Sequence, residues 1–148
     1  MDFSIPKHYT NGVLTGDDLK FFYYDIGLDN LQDLPTLYDW DNVVKEFSGD
    51  IHITPSKDEI AEFEDMNTIK FHISKSDPSV ASAFIRHLRN AFSHYLIIRE
   101  NDTFIITDIT DECNKTGKIT MRGVVKADVL KKFCFRLFDT RNNLNIYD

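Results

Sequence analysis

The chain has 148 residues, 42% of them hydrophobic and 13% aromatic, with twelve Phe. That bounds it to a single domain, 1–148, with enough apolar material for a real core, and excludes a disordered segment. It carries 17 Lys and Arg against 24 Asp and Glu, a net charge of −7, which argues against a broad nucleic-acid coat but leaves room for a local positive patch. No apolar run approaches the roughly 18–20 residues of a membrane span, and the opening MDFSIPKHYTNG lacks the basic region and apolar run of a signal peptide. Cys113 and Cys134 have no Cys or His at metal-ligand spacing. They read as free thiols, and the expected compartment is the cytoplasm, with no membrane partner.

Residues 1–15 contain Pro6 and Asn11-Gly12 and no helical period, and read as an extended arm. Thr15-Gly16-Asp17-Asp18 reads as a helix start with acids in its first turn. Leu19, Phe22, Tyr23 and Ile26 follow at helical spacing, and Gly27 is a stop signal. The aromatic run 21–24 shares that period, so it reads as core or dimer packing rather than a base-stacking platform. Residues 29–35 read as a linker. Thr36 can cap a second helix to about residue 47, with Leu37, Trp40, Val43, Val44 and Phe47 inward. Residues 51–55 are a short extended piece. Ser56 then reads as the start of a third helix, with Ile60, Phe63, Met66, Ile69 or Lys70, and Ile73 on its stripe. Residues 67–76 fit either its continuation or a break before a short second helix.

Residues 77–95, DPSVASAFIRHLRNAFSHY, are the clearest helix. Asp77 is its expected cap, and Pro78 suits the first helical position. Ala81, Phe84, Ile85, Leu88, Ala91, Phe92 and Tyr95 fall on one arc at about 100° per residue. Arg86, His87, Arg89, Asn90, Ser93 and His94 fill the other. Residues 96–99 and 103–107 then read as strands flanking a Glu100-Asn101-Asp102 turn, followed by a polar loop, a third strand over 118–124 and a last helix over 127–138. Residues 139–148 read as a loose tail. The pattern as a whole predicts a mainly α fold, a helical bundle with a small hairpin or three-strand insert before the last helix.

The chemistry sits in Arg89-Asn90-Ala91-Phe92-Ser93-His94. Metal-independent RNA cleavage needs a base to take the ribose 2′-OH proton and a cation to hold the charge that gathers on the phosphorane oxygens. Histidine suits the first task near neutral pH and Arg offers a planar charged fork for the second. Asn90 can orient either without adding charge. Five helical positions, however, turn through about 140°, so Arg89 and His94 stand at opposite margins of the polar arc. A two-fold dimer that packs two such arcs together, or a local unwinding near His94, would bring them to one phosphate. The bland alternatives are a His94 that merely ends the helix and an Arg89 paired with one of the many acids. His8, His52 and His72 are scattered and support no metal site.

The stretch 87–94, HLRNAFSH, resembles the signature of the HEPN superfamily (higher eukaryotes and prokaryotes nucleotide-binding): Arg, four to six residues, His, with Asn, Asp or His usually after the Arg. The following hairpin, polar loop and Thr-Gly-Lys-Ile-Thr-Met-Arg-Gly strand are similar to those of small bacterial, partly plasmid-borne HEPN proteins, over about residues 73–138. The resemblance implies a HEPN-like helical bundle and a homodimer acting as an RNA-cutting toxin or defence protein, with RNA as substrate and an antitoxin as a further partner. By the family's roles Arg89 and His94 would be catalytic and Asn90 supportive, with Arg86, His87 and Ser93 as substrate-binding candidates and neither metal nor cofactor. Some HEPN toxins place a Tyr two positions after the His; here Leu96 stands there and Tyr95 is adjacent. Many HEPN domains do not cut, so the alternative is a non-catalytic dimer that binds nucleotide, RNA or a partner protein.

Overall fold

The computed structural model describes residues 14–28, 39–60, 65–109 and 117–146, with backbone alone for 140–146. Residues 1–13 of the arm expected over 1–15, the linker over 29–35, the expected cap Thr36 and Cys113 lie outside the described residues. The first helix, α1 (Gly16–Lys20), starts as its sequence dictates. The Thr15 hydroxyl accepts from the Asp18 N–H, and the Asp18 carboxylate accepts from the Thr15 N–H at 2.9 Å, a reciprocal capping box. A π-helical turn over Phe21–Asp25 follows, and Gly27 ends it at a φ of 58°, a left-handed conformation that glycine adopts without strain. The remaining helices are α2 (Trp40–Glu46), α3 (Val80–Ser93) and α4 (Ala127–Ile146).

The mainly α expectation is overturned. Five strands, β1 (His52–Ser56), β2 (Thr68–His72), β3 (Ile97–Glu100), β4 (Thr103–Ile109) and β5 (Ile119–Lys126), form one mixed sheet in the order β1-β2-β5-β4-β3. The fold is α/β, and the hairpin expected as an insert is one edge of its central sheet. The third helix expected from Ser56 is not seen over the described residues 56–60 and 65–73, with 61–64 outside them: Ser56 ends β1, and Asn67, at a φ of 60°, turns the chain into β2. Ile69, Phe71 and Ile73 alternate at period two, while Met66, Ile69 and Ile73 fit a helical stripe. Pairing with β1 on one side and β5 on the other decides for the strand. The tail expected from residue 139 is helical as far as Ile146.

The helices gather on one face of the sheet. Ile69 and Phe71 of β2, Phe104 and Ile106 of β4, and Met121 and Val125 of β5 are fully buried there. Trp40 joins the layers, its ring centroid 6.0 Å from Phe71, 5.3 Å from Phe84 of α3 and 5.7 Å from Phe133 of α4. Phe22 does the same between Phe92 and Phe104. Tilted and edge-on aromatic pairs of this kind add to the area they bury. The opposite sheet face carries Lys70, Thr107 and Arg122, which share one cross-strand row. Among the described residues no helix is long and apolar enough to cross a membrane.

Candidate active site at the C-terminal end of α3

The start of α3 differs from its sequence reading. Ser79, in extended conformation, is the cap and accepts from the Ser82 N–H at 3.0 Å. Asp77 instead closes a turn: Ser74 donates to it through its N–H at 2.8 Å, and Arg86 donates from Nε and Nη2. Burial alone would raise the Asp77 carboxyl, but the Ser74 N–H and the Arg86 guanidinium outweigh it and hold it below its ordinary value. Arg86 is thus tied to the first turn of its own segment, with its side chain 37% exposed.

His87 departs most from the expected arc. It is buried, because α3 is covered both by the sheet and by the aromatic cluster around Trp40. Its Nε2 faces the His72 carbonyl at 2.8 Å and its Nδ1 faces Asp108 Oδ2 at 2.7 Å. A carbonyl can only accept, so Nε2 carries a hydrogen and donates. One further proton lies in the Nδ1–Oδ2 contact, so the pair is neutral overall whichever atom holds it. A register shift between Asp108 and Ile109 marks the strand at this point. His87 therefore clamps α3 to β2 and β4, and its ring nitrogens are engaged within the fold.

The other end of α3 is where the motif residues meet solvent. Ser93 and His94 are exposed, and Arg89 and Asn90 are half-buried. His94 is the C-cap residue, and its N–H still donates to the Asn90 carbonyl at 3.0 Å. The helical bond at His94 is intact, so no unwinding closes the 140° between Arg89 and His94. The chain then leaves through a Schellman turn, with the Leu96 N–H on the Ala91 carbonyl and the Tyr95 N–H on the Phe92 carbonyl. Tyr95 takes the left-handed position at a φ of 61°, where glycine is the usual residue. This fixes the direction in which β3 departs, and with it the surroundings of His94.

A buried ion cluster braces the neighbouring strand. Asp18, with no exposed surface, accepts from Arg99 Nε and Nη2 at 2.8 and 2.9 Å and from Lys131 at 2.6 Å. Burial would raise the Asp18 carboxyl; the hydrogen bonds from Arg99, Lys131 and the Thr15 N–H together hold it far below the usual carboxylate range. That joins α1, β3 and α4. Cys134 is wholly buried, and burial pushes its thiol up to about 12, so it is no thiolate nucleophile near neutral pH. Among the described residues no cluster of His, Cys, Asp or Glu is placed to hold a metal ion.

Lys57 and Lys75, not singled out in the sequence, and His72, set aside there as scattered, line a crevice beside the start of α3. The signal available for them was a repeated Ser-Lys, Ser56-Lys57 and Ser74-Lys75, just beyond two β-type runs.

A model of the HEPN pEK499 p136 family matches residues 22–146. The match takes in α2 to α4 and all five strands, and the chain belongs to that family. No curated protein and no solved structure matches the chain.

Proposed function

We propose that this chain is a metal-independent endoribonuclease of toxin or defence type, acting as a homodimer. His94 takes the 2′-OH proton, Arg89 stabilises the charge on the phosphorane oxygens, and Asn90 positions them. The 2′ oxygen attacks the adjacent phosphorus and the 5′ oxygen of the next nucleotide leaves with a proton. The products carry 2′,3′-cyclic phosphate and 5′-OH ends. The observation that carries the reading is the exposed C-cap position of His94, one turn beyond Asn90 on a helix whose inner face is locked to the sheet. Rigid placement of a base at a solvent-facing helix end is what a cleavage site for a large substrate requires. Because the helix stays regular through His94, one α3 holds Arg89 and His94 apart, and two copies of α3 across a two-fold axis supply the missing convergence.

The test compares an RNA with the same RNA carrying 2′-deoxyribose at the cut position, both in EDTA. Cleavage of the first and not the second supports the mechanism. Binding of both without cleavage of either refutes it and favours the non-catalytic reading.

A further inference from the structure

Strands β1 and β2 run parallel, with Ser56 opposite His72, so their carboxyl ends open side by side. In open sheets the crevice beyond the carboxyl ends of parallel strands is where ligands are taken up. A cavity of about 450 Å³ lies there, lined by Lys57, His72, Ile73, Ser74 and Lys75. A second, of about 270 Å³, shares Lys57 and His72 and reaches Lys118 and Thr120, with Asp58 and Glu59 on its rim. Lys118 lies 2.7 Å from Glu59, an exposed pair whose charges offset one another. Among the described lining residues Lys57 and Lys75 remain as cations and Asp58 as the remaining acid, in a chain whose net charge is −7.

The cationic surface continues along the outer sheet face. Two positions beyond Thr120 on β5, Arg122 stands directly opposite Lys70 of β2. Like charges opposed across neighbouring strands are unfavourable for folding. Arg122 Nη1 donates to the neutral Thr107 hydroxyl at 2.7 Å, while its Nε is buried without a hydrogen-bond partner.

The crevice also borders the helix of the candidate active site. The Ser74 N–H is bound to Asp77, Asp77 to Arg86, and the His72 carbonyl to His87. From Arg86 the polar arc runs through Asn90 to His94 at four-residue intervals, and the rise from His87 to His94 is about 10 Å. We propose that the crevice at the ends of β1 and β2 is a second binding site. It takes the phosphodiester backbone of the RNA strand flanking the cleaved bond, with Lys57 and Lys75 as its phosphate contacts. This rests on the reading of the chain as an RNA-cutting enzyme. It accounts for a local cationic track in an acidic protein, and it gives α3 a strand to hold in register.

The experiment is fluorescence anisotropy with a labelled single-stranded RNA oligonucleotide, titrated across salt concentrations. The proteins are His94→Ala, which leaves the RNA intact, and the same chain carrying Lys57→Glu and Lys75→Glu. Both lysines are exposed, so their reversal leaves the fold in place, which circular dichroism verifies. The expected result is an affinity at least about tenfold weaker and a salt slope smaller by about 1.4, two contacts at about 0.7 each on single strands. An affinity within about twofold of the parent overturns the proposal, as does a parent that fails to bind at low salt. In a cleaving background the two reversals slow the cutting of the oligonucleotide and leave a dinucleoside monophosphate unaffected, since its one phosphate is the reacting one; equal slowing of both overturns the proposal. Failure of the cleavage reading is visible separately, as RNA left intact by the chain that retains His94 while anisotropy still reports binding.

Discussion

Gly123 lies close against Ile69 of the neighbouring strand, and replacing it with Ala tests the strand order. It pairs with Ile69 of β2 on one side and Ile106 of β4 on the other. A Cβ at Gly123 would stand 2.8 Å from Ile69 Cγ1, well inside contact distance. Ile69 has no exposed surface, and its β-branched side chain has little rotamer freedom with which to move away. Overpacking of this kind costs about 1–3 kcal/mol, against about 0.5–1 kcal/mol recovered by removing a glycine from a strand interior. The net expectation is a loss of about 1–2 kcal/mol, read from the midpoint of urea denaturation at constant slope. A double-mutant cycle isolates the cause. In an Ile69→Ala background the γ carbons are gone, and Gly123→Ala then stabilises by about 0.5–1 kcal/mol, a coupling of about 1.5–3 kcal/mol. A neutral or stabilising Gly123→Ala in the parent chain would refute the Ile69–Gly123 pairing, and with it the placement of β2 beside β5.

Three further outcomes follow from the buried polar groups and the motif. Asp18→Asn leaves Arg99 and Lys131 without their carboxylate. The cost is about 2–4 kcal/mol, less than for a wholly buried pair because both cations keep some solvent contact. The Asp18 carboxyl is depressed in the folded state, so its contribution is present above the ordinary carboxylate value of about 4 and is lost as pH falls toward the folded value. Asp77 titrates in the same sense. Denaturation between neutral pH and about pH 3 should therefore show a steeper acid loss for the parent than for Asp18→Asn; parallel curves contradict the cluster. His87→Ala strands the Asp108 carboxyl and the His72 carbonyl in the interior, at about 3–5 kcal/mol by thermal or urea melts. Asp108→Asn, whose amide donates to Nδ1 while Nε2 keeps its hydrogen, costs about 1 kcal/mol and clearly less than Asp108→Ala. Arg89→Ala lowers RNA cleavage about 10²–10³-fold when assayed well below the melting temperature of the variant. Cleavage retained by folded Arg89→Ala would remove Arg89 from the chemistry.

Local signals carried the fold wherever the deciding partners were near in sequence. The apolar face of α3 from Ala81 to Phe92, the Asn101 hairpin and the start of α4 at Ala127 depend on spacing within a few residues, and all three form at those positions. β1 was legible as the extended piece over 51–55, but β2 and the pairing of the two were not, because the deciding partner is distant. Lys70 and Phe71 pair with Arg122 and Met121, some fifty residues away. The apolar positions at 66, 69 and 73 fit a helix as well as 69, 71 and 73 fit a strand. His87 was assigned to the polar arc because histidine counts as polar; its burial depends on Asp108, 21 residues on and on another element. At the start of α3 both Asp77 and Ser79 have capping chemistry, and the turn between Ser74 and Asp77 leaves the cap to Ser79. The family was legible from residues 87–94 because a motif depends on residue types and spacing rather than on long-range pairing. The helical bundle that came with the resemblance was not a property of those residues.

The central claim is that the exposed end of α3 cuts RNA without a metal. The most direct measurement is the cleavage rate of a labelled RNA in EDTA by the parent chain and by His94→Ala, with the new ends identified. The account predicts 2′,3′-cyclic phosphate and 5′-OH ends from the parent and a loss of about 10²–10⁴-fold on removing the base. Equal rates for the two proteins, or 5′-phosphate ends, would contradict it.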